Sequence, residues 1–177
     1  MIRVFDRLLS RSRKPRELHV YDFDDTLVTT DSHVYVQRVD GTVVALTPHE
    51  YAVYERGPDE VFDYSDFERV VDPEPNLEMV QRMKRSIERL GSENVFVLTA
   101  RGNPMPVKQY LSTLGFDVRI YAVGTSDPEA KADVIRDQIV THGYRRVEFF
   151  DDSPKYIASV GALHDEFPAV DIITIQV

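Results

Sequence analysis

Five short apolar runs constrain this chain more than anything else in it: Leu18 to Phe23, Val95 to Leu98, Val118 to Val123, Val147 to Phe150 and Ile172 to Val177. Each is nearly continuous in hydrophobicity rather than alternating, the pattern of a strand buried on both faces. Between them fall segments with helical spacing, at about Asn76 to Leu90, Pro106 to Leu114, Pro128 to His142 and Pro154 to Leu163. Strands alternating with helices predict an α/β fold, a three-layer Rossmann-like parallel sheet with helices on both faces. In such sheets ligands bind beyond the carboxyl ends of the strands, where the strand order reverses.

The alternation breaks between about residues 31 and 74. Two β-prone runs, Val34 to Val39 and Thr42 to Leu46, flank Asp40-Gly41, a strong hairpin signal. Thr47-Pro48-His49-Glu50 then reads as an N-cap with proline in the first turn, opening a short helix to about Arg56. Phe62 to Val71 reads as a second short amphipathic piece. The expectation is a small flap or cap inserted after the first strand.

A length of 177 residues with 42% hydrophobic content suits one main domain with its own core. The chain has no cysteine, which removes disulfides, thiolate chemistry and cysteine-based zinc or iron–sulfur sites. A metal would be held by oxygen or histidine. No run approaches the roughly eighteen apolar residues of a membrane span, and the N-terminus lacks the apolar region of a signal peptide. A soluble, cytoplasmic protein is therefore expected.

The net charge of −9 is unevenly placed. Residues 1–17 carry six basic and two acidic side chains, a local +4 that leaves about −13 for the rest. Ile2, Phe5, Leu8 and Leu9 fall at helical spacing opposite Arg3, Arg7 and Arg11. This basic N-terminal helix or arm has two readings: contact with anionic membrane or nucleic acid, or a helix that packs on the domain or frays. The second is preferred, because charge runs usually mark a solvated face.

Chemistry-bearing residues gather at the ends of the expected strands. Asp22 and Asp24 follow the first, Thr99 follows VFVL, Lys131 opens a helix, and Asp151-Asp152 follows EFF. Two carboxylate pairs converging from two strand ends make a hard-oxygen site suited to Mg2+, which would let them stay ionised together. A hydroxyl and a lysine beside such a cluster are what a phosphoryl group needs.

As a set these residues resemble the haloacid dehalogenase superfamily over roughly residues 18–177. DFDDTL at Asp22 to Leu27 is similar to that family's first motif, hhhDxDxT, and LTAR to its second. Lys131 in DPEAKADVI is similar to the third, and FFDDSP to the acidic fourth. The resemblance implies a phosphatase working through an aspartyl phosphate, with Asp22 as nucleophile and Asp24 as acid and then base. It implies that Thr99 and Lys131 hold the phosphoryl oxygens. Mg2+ would be held by the Asp22 carboxylate, the Asp24 carbonyl and one of the final pair, Asp152 ahead of Asp151. Asp25 stands where many members have glycine and receives no role. Arg101 reads either as a substrate contact or as an exposed structural ion pair.

A phosphoacceptor receiver module also uses acidic pairs with Thr and Lys, but there the lysine comes last, whereas here it precedes the second acidic pair. No GxxxxGK[ST] motif occurs. For substrate, the insert's aromatics, Tyr35, Tyr51, Tyr54, Phe62, Tyr64 and Phe67, either stack a base or form a small core of their own. Eleven acidic and three basic residues give the insert a net −8, which repels a long phosphate backbone. A small, nucleotide-like phosphomonoester therefore ranks ahead of a polynucleotide 3′-phosphate end.

Overall fold

A computed structural model describes residues 16–177, and the basic arm expected over residues 1–17 falls almost wholly outside them. The first strand, β1 (Glu17–Tyr21), is followed by an excursion holding β2 (Val28–Thr29), β3 (Val34–Gln37), β4 (Val43–Leu46), α1 (Pro48–Ala52), β5 (Val61–Asp63) and β6 (Glu74–Pro75). The chain then runs through α2 (Leu77–Leu90), β7 (Val95–Thr99), α3 (Met105–Thr113), β8 (Arg119–Ala122), α4 (Pro128–His142), β9 (Arg146–Asp151), α5 (Pro154–Glu166) and β10 (Asp171–Gln176).

Five strands form one sheet in the order β10-β9-β1-β7-β8, every pair parallel. Alternate side chains of each strand feed two different cores. Leu18, Val20, Phe96, Leu98, Val147 and Phe149 pack with Ile135 and Ile139 of α4 and Val160 and Leu163 of α5. Tyr21, Val95, Val97 and Phe150 pack with Met79 and Met83 of α2 and Val107 and Leu111 of α3. Helices thus cover both faces, as the near-continuous apolar runs require. Each large side chain buried this way contributes about 1.5–3 kcal/mol.

From β1 the chain steps outward to β7 and β8, then returns to the other side of β1 for β9 and β10. The order therefore reverses beside β1. The Asp22 N–H donates to the Phe150 carbonyl at 2.8 Å, so the β1–β9 pairing reaches the first carboxylate of DFDDTL. Asp127 caps α4 by accepting the Glu129 N–H, and Gly143 ends it at φ 67°, the left-handed conformation common after a helix. Those two ends place Lys131 in the opening turns of α4, over the reversal point.

Between β1 and α2, the strands β4-β3-β5 form a separate antiparallel sheet, and β2 pairs with β6. The Asp40-Gly41 hairpin forms, with Gly41 at φ 84° and the Asp40 carboxylate accepting the Thr42 N–H. Thr47 and Glu50 make a reciprocal capping box at α1, which ends at Ala52 rather than near Arg56. Phe62 to Val71 departs from the sequence reading. It divides into β5, paired with β3, and a 3₁₀ turn over Ser65–Glu68. Tyr51, Tyr54, Phe62 and Phe67 pack on Val34, Val36 and Leu46, so the insert's aromatics do build a small core of their own.

Candidate active site

Asp22, one residue beyond β1, is buried, and Lys131 is 1% exposed. The Lys131 ammonium donates to Asp22 Oδ1 at 2.6 Å and to Asp151 Oδ2 at 2.7 Å, and lies 4.1 Å from the Tyr156 ring centroid. Residues separated by 109 and 20 positions meet through one cation. Asp151, at the end of β9, spends its other oxygen on the Ser153 N–H at 2.9 Å. Asp152, the next residue, is half-buried. Its backbone N–H donates to the buried Thr26 hydroxyl at 3.1 Å, which ties the β9 loop to DFDDTL.

Asp22, Asp151 and Asp152 each bring a carboxylate oxygen within 4.8 Å of the others, an arrangement that could hold a metal ion. Burial raises the Asp22 carboxyl well above its ordinary range; Lys131 opposes the rise, and Asp151 and Asp24 add to it. Asp151 is raised as well, first by burial. Burial works against the Lys131 charge, but Asp22 and Asp151 outweigh it and hold the lysine protonated above the usual lysine range. One shared ammonium thus holds two buried carboxylates without neutralising both. Asp152 is pushed up to about 6 by burial and then by Asp151 and Asp25. The cluster carries more negative charge than its surroundings compensate.

Asp24 is held differently. Arg101 donates to it twice, Nε to Oδ2 at 2.9 Å and Nη2 to Oδ1 at 2.7 Å. Arg101 is 3% exposed and forms a buried pair with Asp24, not the exposed ion pair weighed from sequence, and it also lines the adjoining cleft. Nothing in LTAR signals that enclosure, because the covering groups belong to the insert. Asp25 adopts φ 58°, a left-handed conformation that glycine takes freely and that Asp tolerates better than most residues. Its side chain faces the same cleft, and burial followed by the Asp24 charge raises its carboxyl.

These groups open onto a cleft of about 450 Å3. Asp22, Asp24, Asp25, Arg101, Lys131 and Asp152 line its core side. His49, Tyr51, Arg56, Tyr64 and Phe67 line the insert side, with Ser126 and Lys155 between. Thr99 is not among the lining residues. It is fully buried at the end of β7, where its hydroxyl accepts the Arg101 N–H at 3.2 Å. Sequence reasoning did not single out Arg56, Ser126 or Lys155. The only signal for them was position, in the insert or in a loop after a strand.

Comparison with family models, with curated proteins and with solved structures gives no match.

Proposed function

We propose that this chain is a Mg2+-dependent phosphohydrolase, acting on a small phosphomonoester through an aspartyl phosphate on Asp22. The observation that carries the proposal is convergence: Asp22 and Asp24 from the end of β1, Lys131 from α4 and Asp152 from the end of β9 line one cleft, with Asp151 buried behind it on the Lys131 ammonium. The resemblance of the same residues to the haloacid dehalogenase superfamily's motifs points the same way.

Asp22 Oδ1 would attack phosphorus, breaking the bond to the leaving oxygen. Asp24 would protonate that oxygen and then take a proton from the water that hydrolyses the acyl phosphate. Lys131 would stabilise charge on the phosphoryl oxygens, and its ammonium favours the ionised form of Asp22 against burial. The donor set fits Mg2+, being hard oxygens with surplus negative charge. Asp22 and Asp152 would hold the ion by their carboxylates, since both Asp151 oxygens already accept hydrogen bonds. When bound, it would supply the positive charge that offsets the transferring phosphoryl group.

The insert acts as a small cap in this reading. A cleft of about 450 Å3 suits a nucleotide-sized molecule. The insert's net −8 charge disfavours a polynucleotide end. The test is hydrolysis of an aryl phosphate with added Mg2+, with activity lost in EDTA. Asp22→Asn is expected to lower kcat by about 10⁴-fold or more while the circular dichroism spectrum is unchanged. Wild-type turnover in that variant would remove the nucleophile assignment.

A further inference from the structure

We infer that Arg101 is a positioning residue, one that fixes the Asp24 carboxylate as the proton acceptor for the water step and anchors it to the insert. The inference rests on the phosphatase reading above and deepens it.

Every donor of the guanidinium is directed to one of two places. Nε and Nη2 grip both oxygens of Asp24. Nη1 donates to the Arg69 carbonyl at 2.7 Å and the Phe67 carbonyl at 3.3 Å, and Nη2 also reaches the Ser32 hydroxyl at 3.4 Å. Asp24 therefore belongs to the core strand's loop, whereas Phe67, Arg69 and Ser32 belong to the insert. The rings of Phe23 and Phe67 lie 5.4 and 4.9 Å from the guanidinium carbon, so the group is enclosed as well as bonded. A paired fork of this kind sets the plane of a carboxylate, which a lysine at the same place could not do.

The partners of Asp24 also fit one role better than the other. Arg101 supplies two donors and the Thr30 hydroxyl a third, at 3.3 Å to Oδ1. A carboxylate has about four acceptor sites, so one remains on Oδ2. In the second half of the reaction, water attacks phosphorus and the bond from phosphorus to Asp22 breaks. The electron pair stays with the Asp22 carboxylate, and the proton lost by water goes to Asp24. An acceptor held in a fixed plane is what that step needs.

The experiment compares wild type, Asp24→Asn, Arg101→Ala and Arg101→Lys on p-nitrophenyl phosphate with Mg2+, reading both turnover and the steady-state fraction of Asp22 phosphorylated, by intact mass. Arg101→Ala is expected to lose about 10²-fold in kcat with the phosphoenzyme fraction raised about tenfold or more, as in Asp24→Asn. Arg101→Lys should fall between, and methylguanidinium should recover part of the Arg101→Ala rate and lower its phosphoenzyme. If Arg101→Ala does not fold, Arg101→Lys is read by the same criterion. A rate lost with the phosphoenzyme fraction unchanged would mean a merely structural role and would overturn the inference. Wild type that neither turns over nor becomes phosphorylated would instead remove the phosphatase reading beneath it.

Discussion

Two charged clusters sit at opposite ends of β1, roughly 15 Å apart for a strand of this length, and they handle charge in opposite ways. At the amino end, Glu17, Glu148 and Asp171 meet Arg89 and Arg146, with His19 among them. Arg89 makes two bonds of 2.8 Å to Glu17, and Arg146 reaches Glu17, Glu148 and Asp171. His19 shares a 2.9 Å bond with Glu17 and a 2.7 Å bond with the Ser86 hydroxyl. At the carboxyl end, five carboxylates, Asp22, Asp24, Asp25, Asp151 and Asp152, lie near three cations: Lys131 pairs with Asp22 and Asp151, Arg101 pairs with Asp24, and Lys155 acts on Asp151 from the cleft wall. Both ends contain three groups close enough to ligate a metal, yet their carboxyls are shifted in opposite directions. Arg89 leads the effects that pull the Glu17 carboxyl down to about 2, while burial raises Asp22, Asp25, Asp151 and Asp152, with neighbouring acids adding to the rise at Asp22, Asp25 and Asp152. The amino-end network stabilises the fold by pairing its charges. The carboxyl-end carboxyls are raised by burial beside a cleft, a pattern that marks a candidate site.

Removing a cation from each end breaks the comparison most directly. Lys131→Met leaves Asp22 and Asp151 buried together without their shared ammonium, and a loss of about 3–5 kcal/mol is expected in urea unfolding. Arg146→Met removes a partly exposed arginine from an end where Arg89 remains, and about 0.5–1 kcal/mol is expected. Equal losses would erase the distinction between the two ends.

A smaller effect sharpens it by pH. The Glu17 carboxyl lies at about 2 in the folded protein, below its ordinary 4.5. The stabilisation it contributes is therefore fully present above about pH 4.5 and is lost as pH falls toward 2. Glu17→Gln should cost about 1–2 kcal/mol at pH 7. The gap between wild type and variant should close as unfolding is repeated from pH 4.5 downward. A gap that does not narrow would mean that Arg89 is not what stabilises Glu17.

The five strands were legible in the sequence to within a residue or two, because burial on both faces leaves a nearly unbroken apolar run. The Asp40-Gly41 hairpin and the Thr47–Glu50 capping box were legible because both are set by residues within a few positions of each other. Phe62 to Val71 was not. The partner that makes part of it a strand is Tyr35 to Gln37, about 25 residues away, and no local pattern carries that pairing. The same distance hid the enclosure of Arg101 by the Phe67 and Arg69 carbonyls and the pairing of Glu17 with Arg89, 72 positions apart. Lys131 and the Asp151-Asp152 pair could be picked out because they lie beside strand and helix ends that the sequence marks. The sharing of the Lys131 ammonium by Asp22 and Asp151 could not be read from sequence, because it depends on how β9 and α4 meet around β1.

At the carboxyl end of β1 carboxylates outnumber cations, and in the proposed phosphatase a divalent cation would offset the excess. Isothermal titration of Mg2+ into metal-free wild type, Asp152→Asn and Glu148→Gln tests this without reference to any substrate. One ion is expected to bind wild type and Glu148→Gln alike, with unfolding temperature rising about 5–10 °C at a hundred times the Kd, and Asp152→Asn is expected to lose both responses. Absence of Mg2+ binding to wild type, or binding that survives Asp152→Asn and disappears in Glu148→Gln, would contradict it.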